Sequence, residues 1–268
     1  MLQTDGIEQE TATRFVLARK AASALQDYPG VPPQTLAQAY AIQDAAIAER
    51  GGTICGWKVG RIHPPLCDTL GTTRLVGPAW LDAMQGATDG AEPVGHIFAG
   101  GFGAAEAEFM VRIGTAPAPG KRHFTRDDIA SLIDAVFVGF EIASSPFPGI
   151  NALGPLVTIS DFGNNNGLLV GPEIPDWRTA GLDDWPVETR VDGERVGSGS
   201  ASAFPGGLIE SVRVLLETIT ARGHAVTPGL LVSTGAITGV HEVTAGQRIE
   251  ARFGSFTSIF CTIGYAQA

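Results

Sequence analysis

What the sequence has little of narrows it first. Only three cysteines occur in 268 residues, Cys55, Cys67 and Cys261, and no two form a C-x-x-C pair. An odd count without that spacing supports neither a disulfide framework nor a zinc site. The three read as reduced thiols of an intracellular protein, and a cytoplasmic location is expected. Basic residues are also scarce. Eighteen Lys and Arg against 28 Asp and Glu leave a formal charge of −10, without the positive footprint that nucleic acid requires. No apolar run approaches the roughly 18 residues that a membrane helix needs, so no membrane partner is expected. The start, MLQTDGIEQE, is polar and acidic, which does not suit a signal peptide. Familiar catalytic signatures are missing too. DFG at 161–163 has neither an HRD loop upstream nor a glycine-rich phosphate loop, and STG at 233–235 is not a nucleophile elbow. GSGSAS at 197–202 lacks the third glycine and the βαβ setting of a dinucleotide site. The five histidines show no metal-ligand spacing, and His63, before a double proline, reads as a loop residue.

What is present describes a globular chain. Hydrophobic residues make up 44% and charged residues 17%, enough for a sizeable core. The 35 glycines predict many tight turns. ATRFVLARKAASAL and PPQTLAQAYAIQDAAIAER have helical spacing, the second bounded by prolines before and GG after. GTICGWKVGRI reads as strand, residues 64–100 as irregular with a short element at VGPAWLDAM, and AAEAEFMVRI as the clearest strand. TRDDIASLIDAVFVG opens on a Thr125/Asp128 capping-box pair and runs from helix into strand near Glu141. WPVETRVDGERVG alternates as a hairpin around Asp192-Gly193. GGLIESVRVLLETITARG is a helix stopped at Gly223, and the C-terminal part is β-rich. Helices first and strands afterwards, with few βαβ alternations, give an α+β fold. One domain spanning 1–268 is expected, helical over 1–52 and mixed-β over 53–268.

Residues 104–113, AAEAEFMVRI, place Glu106 and Glu108 one residue apart in an apolar run. Strand side chains alternate, so Ala105, Ala107, Phe109, Val111 and Ile113 share one wholly apolar face. Ala104, Glu106, Glu108, Met110 and Arg112 share the other. The glutamates lie about 6.6 Å apart along the strand, so their carboxylates can converge on one hard cation such as Mg²⁺ or Mn²⁺. A solvated face, balanced by Arg112, explains the same pattern. Glu141, inside AVFVGFEIAS, is costly to bury unless paired or bound, yet also reads as a lone acid at a strand end. Lys58 in GWKVG is either a desolvated base or a lysine whose ammonium reaches water. DFGNNNG, residues 161–167, either orients a small polar substrate or merely turns the chain.

Taken in order, AYAIQDA, GWKVG, EAEF, FEIASS, ISDFGNNNGLLVGP and VSTGAITGVHEVTAGQRIEARFGSFTSI resemble the 2-keto-4-pentenoate hydratase branch of the fumarylacetoacetate hydrolase superfamily. The resemblance spans nearly the whole chain. It implies a mixed-β roll with flanking helices, and a Mg²⁺ or Mn²⁺ site made by Glu106, Glu108 and Glu141. It further implies an acid/base role for Lys58, a substrate approach at Thr234 and Gly235, and self-association into a homo-oligomer; in the DFGNNNG loop, Asp161, Asn164 and Asn165 are the candidate substrate-orienting residues. The implied substrate is a small 2-oxo acid chelated by the metal. Hydration of a 2-hydroxypenta-2,4-dienoate-like acid comes first. Decarboxylation of a 2-oxo acid, acylpyruvate-type C–C hydrolysis and a metal-binding member without the chemistry are the alternatives. One departure stands out. Hydratases of this branch usually carry an acid in a P-[DE]-[FY]-G-like segment after the lysine, and here Leu75 and Val76 occupy that place.

Overall fold

Two helices, α1 (Thr4–Lys20) and α2 (Leu36–Arg50), open the chain in a computed structural model that describes residues 4–86 and 92–268. Thr35 caps α2, its hydroxyl accepting from the amide of Gln38, and Gly51 ends it at φ 65°. α1 begins and ends earlier than its sequence pattern over 12–25 predicts, and the chain turns at Ala22 (φ 46°). The strands then follow: β1 (Ile54–Arg61), β2 (Arg74–Trp80), β3 (Met84–Gly86), β4 (Val94–Ile97), β5 (Phe102–Ile113), β6 (Ile133–Ser145) and β7 (Asn165–Glu173). They continue with β8 (Val187–Val191), β9 (Glu194–Gly199), β10 (Leu231–Ser233), β11 (His241–Glu242), β12 (Arg248–Phe253) and β13 (Thr257–Tyr265). Between them stand α3 (Leu66–Leu70), α4 (Arg126–Leu132), α5 (Pro155–Ser160) and α6 (Gly207–Ala221).

The larger sheet runs β2-β1-β10-β5-β6-β7-β3, with β11 also paired to β5, and the smaller runs β4-β13-β12-β8-β9. Three pairs are parallel, β1 with β10, β3 with β7 and β4 with β13, and the rest are antiparallel. This is the mixed α+β architecture the sequence predicts. The Thr125/Asp128 capping box forms at α4, and Asp192-Gly193, both at positive φ, turn the β8–β9 hairpin. Residues 64–100 are more regular than their Gly and Pro content suggests. β2 is buried along its whole length, and Pro78 is tolerated because β2 is the edge strand of its sheet. Residues 87–91 of that stretch lie outside the described residues.

The apolar face of β5 carries the core. Ala105, Ala107, Phe109, Val111 and Ile113 are fully buried in one cluster with Leu215, Leu216 and Ile219 of α6 and Ile249, Ala251 and Phe253 of β12. Burial of such side chains stabilises by about 1.5–3 kcal/mol each. That cluster fixes β5 from behind, so its other face is held rigidly toward β1, β6 and the segment after β10.

Candidate metal centre and active site

The second face of β5 is not solvated. Ala104, Glu108 and Met110 are fully buried, and Glu106 is 4% exposed. Arg112 does not balance the glutamates; it pairs with Asp134 at 2.8 Å. The antiparallel register sets Glu106 directly opposite Glu141 on β6. Glu106, Glu108 and Glu141 each offer a carboxylate oxygen within 4.8 Å of the others. The three acids therefore converge.

Each partner of this cluster is fixed by a neighbouring element. Lys58, on β1, is 3% exposed, and its Nζ lies 3.0 Å from Glu141 Oε1 and donates to Asn164 Oδ1 at 3.2 Å. Asn165 Nδ2 donates to the same Glu141 oxygen at 3.0 Å. Ser233 Oγ and the amide of Gly235 donate to Glu108 Oε2 at 2.5 and 2.8 Å. One oxygen of Glu108 and one of Glu141 are thus held by protein donors. Their other oxygens, Glu108 Oε1 and Glu141 Oε2, are buried and have no hydrogen-bond partner among the described residues.

Charge makes the same point. Three ionised carboxylates around one ammonium leave two negative charges uncompensated in a buried site. Burial pushes the Glu106 carboxyl up to about 7, with Lys58 opposing and Glu141 adding to the rise. Burial, Glu141 and Glu106 raise Glu108 well above the usual carboxylate range. Burial works against the charge on Lys58, but Glu141, Glu106 and Glu108 outweigh it and raise its pKa above the ordinary lysine value. A divalent cation would replace the protons these acids otherwise need. The bare oxygens and the all-carboxylate donor set fit Mg²⁺ or Mn²⁺.

Glu106 and Lys58 of this cluster open onto a cavity of about 740 Å³, which Glu108 and Glu141 do not line. Lys58, Glu106, Asn151, Thr158 and Asn164 line its polar side. Asn164 Nδ2 donates to Asn151 Oδ1 at 3.1 Å, which links Lys58 outward to the rim. Leu75, Phe102, Phe204 and Ile237 supply apolar wall, and Arg61, His63 and Glu242 also line the cavity. Leu75 packs over Gly60, two residues from Lys58: a Cβ at Gly60 would meet the Leu75 side chain at 3.0 Å. Neither Asp68 nor Asp82 lines this cavity. A second depression of about 820 Å³ lies among Arg19, Lys20, Arg50, His96 and Asn166 and contains none of the three glutamates or Lys58.

Asn164, Asn165 and Gly235 reach the centre, while the side chains of two other sequence-predicted contacts, Asp161 and Thr234, are engaged elsewhere. Asp161 is fully buried and paired with Arg19 at 2.6 Å. Thr234 Oγ1 donates to the carbonyl of Phe109, and Gly235 supports Glu108 through its amide. The sequence reading missed Arg19, Ser233 and Asn151. Ser233 had a signal, since it begins the STG triplet beside Thr234; Arg19 looks like any helix-end cation.

No model of a known protein family matches the sequence. Solved structures do. A 4-oxalocrotonate decarboxylase from Pseudomonas putida G7, complexed with magnesium and adipate, matches with a TM-score of 0.78 at 21% identity, covering 96% of this chain and 97% of that one. A fumarylpyruvate hydrolase from Pseudomonas aeruginosa, in complex with Mn²⁺ and pyruvate, matches with 0.57 at 16% identity over 78% and 89% of the two chains. A maleylpyruvate hydrolase from Sphingobium sp. SYK-6, with manganese(II) and pyruvate, gives 0.54 at 16% over 79% and 71%. The chain has the fold these proteins share, that of the fumarylacetoacetate hydrolase superfamily, as the resemblance of its sequence motifs implies.

Proposed function

We propose that the protein belongs to the hydratase and decarboxylase branch of that superfamily. In this reading it is a divalent-metal-dependent lyase acting on a small 2-oxo acid, and loss of CO₂ is the reaction its cavity suits best. The observation that carries the reading is the buried set of Glu106, Glu108 and Glu141, with two oxygens partnerless among the described residues, beside Lys58 at a cavity that Lys58 and Glu106 line. The decarboxylase complexed with magnesium and adipate, and the hydrolases complexed with manganese and pyruvate, support that choice of metal and ligand class.

Glu106, Glu108 and Glu141 would hold Mg²⁺ or Mn²⁺. When bound, such an ion supplies Lewis-acid polarisation of the 2-oxo group, drawing in the electron pair released at carbon. Arg61 at the cavity wall attracts the anionic acid. The bond from a saturated carbon, β or vinylogously β to the 2-oxo group, to its carboxylate breaks, CO₂ leaves, and the electron pair passes through the π system toward the 2-oxo oxygen. The apolar wall of Leu75, Phe102 and Ile237 desolvates the leaving carboxylate. Lys58 Nζ, steadied by Asn164 Oδ1, holds the proton that returns to carbon. Hydration, which the sequence resemblance puts first, needs a group to activate water. Leu75 stands where the hydratase acid is expected, and the acid left on the outer wall, Glu242, is exposed. Self-association is part of this reading and is read by light scattering.

The test is product analysis with Mg²⁺ across unsaturated 2-oxo mono- and dicarboxylic acids. Release of CO₂ with a product one carboxylate lighter supports the reading. A hydrated product of unchanged carbon count assigns hydration instead. Pyruvate plus a free acid assigns hydrolysis, and no turnover of any acid overturns the enzyme reading.

A further inference from the structure

The loop that reaches the centre is held from outside it by a residue no catalytic motif contains. Phe162, Gly163 and Asn164 are consecutively left-handed, at φ 56°, 63° and 57°. Glycine adopts that conformation freely and asparagine tolerates it; phenylalanine does so only where the surroundings impose it. The outcome is that Asn164 points to Lys58 while the next side chain, Asn165, points to Glu141.

Arg19 at the end of α1 imposes the shape. Its side chain is 10% exposed. Its guanidinium forks onto Asp161 through Nε (2.6 Å) and Nη2 (2.9 Å). Nη1 donates to the carbonyl of Asn165 and to Asn166 Oδ1, each at 3.1 Å, and Nη2 donates to the carbonyl of Ser144 at 3.0 Å. The guanidinium carbon also lies over the Phe98 and Phe162 rings, 5.4 and 5.0 Å from their centroids. A planar fork with five donors is used at nearly every position, which lysine cannot copy. Ser144 lies on β6, three residues beyond Glu141. One side chain therefore ties the strand that carries Glu141 to the loop that carries Asn164 and Asn165.

We propose that Arg19, with Asp161 as its counterion, is a positioning residue for the metal ligand Glu141 and for Lys58. It touches neither substrate nor metal. It fixes the amide of Asn165 against one oxygen of Glu141, which leaves the other aimed at the cation. This role rests on the metal reading of the site. Partners of this kind behind a metal ligand change affinity about 10–100-fold when removed.

The experiment is a Mn²⁺ titration of the full chain, read from the free-ion paramagnetic resonance signal, with thermal melts of the same samples. Variants are Arg19→Ala and Asp161→Asn, with Arg112→Ala as a control away from the site. The Mn²⁺ dissociation constant is expected to rise about 10–100-fold in both variants and not in the control. Arg19 also lines the second depression, so guanidinium ion can enter there and is expected to restore affinity in Arg19→Ala. A wild type that takes no Mn²⁺ overturns the metal reading itself. A wild type that binds Mn²⁺ beside a folded Arg19→Ala of equal affinity overturns only the role of Arg19. Lowered melting with weakened Mn²⁺ binding that guanidinium does not rescue reduces Arg19 to a fold contact and overturns the proposal. If Arg19→Ala does not fold, Asp161→Asn decides, and wild-type Mn²⁺ affinity there overturns it.

Discussion

Glu106 on β5 and Glu141 on β6 are direct cross-strand partners, and both are buried. Like charges so placed destabilise an antiparallel pair. The pair is compatible with a stable fold because Lys58, Asn165 and protons, or a cation in their stead, share the cost.

Removing one of these charges is therefore expected to stabilise the metal-free protein. Glu106→Gln keeps the shape and deletes the repulsion. In denaturant melts with chelator at pH 8 it should gain about 1–3 kcal/mol over wild type. The same variant should lose Mg²⁺ binding in calorimetry. A Glu106→Gln protein that is less stable than wild type without metal would show that the carboxylate is already compensated.

The stability should also carry a pH signature. The folded protein holds Glu106 near 7 against an ordinary 4.5, chiefly through burial. A raised carboxyl pKa favours the folded state when protonated. Its contribution is complete below pH 4.5 and disappears as pH rises through about 7. The stability difference between wild type and Glu106→Gln should grow over that window in chelator and close when Mg²⁺ is added at pH 8. A difference independent of pH would mean that Glu106 does not titrate there.

Lys58→Met separates metal binding from chemistry. Among the described residues the ammonium is the one cation paired with the three carboxylates, so its loss should destabilise the metal-free protein by about 3–5 kcal/mol. Mg²⁺ should recover most of that, since the ligands remain. Turnover of the 2-oxo acid should fall at least about 10²-fold even with metal bound. Metal-loaded Lys58→Met with wild-type kcat would remove Lys58 from proton transfer.

The AYAIQDA stretch makes a separate stability prediction. Gln43, fully buried on α2, donates to the carbonyls of Val76 at 3.0 Å and Ile159 at 2.8 Å, and accepts from Arg222 Nη2 at 2.8 Å. It clasps the strand bearing Leu75 to the end of α5. Gln43→Leu strands these partners and should cost about 2–4 kcal/mol in thermal or denaturant melts, taking 1–3 kcal/mol per unsatisfied group as the scale. A loss under about 0.5 kcal/mol would mean that water replaces the amide.

Several of the strands, though not those within 64–100, the capping box, the hairpin turn and the four charged residues of the centre could be read in the sequence because each is a local signal. Glu106, Glu108, Glu141 and Lys58 are charges inside apolar runs, and one-dimensional pattern is enough to find them. Whether the glutamate face of β5 meets water could not be read there, since β1, β6 and the segment after β10 enclose it from distant positions. Arg19 reaches Asp161 across 142 residues, and no spacing rule announces such a pair. Asp161 looks like a substrate-orienting residue in its polar loop, but its carboxylate is committed to Arg19.

The central claim, that Glu106, Glu108 and Glu141 hold a divalent cation to which a 2-oxo acid binds, is tested most directly by anomalous scattering from crystals soaked with Mn²⁺ and oxalate. One manganese peak bonded to all three glutamates is expected, with oxalate chelating its open side toward Lys58 and Leu75. An empty cluster at saturating Mn²⁺, or oxalate bound elsewhere, would contradict it.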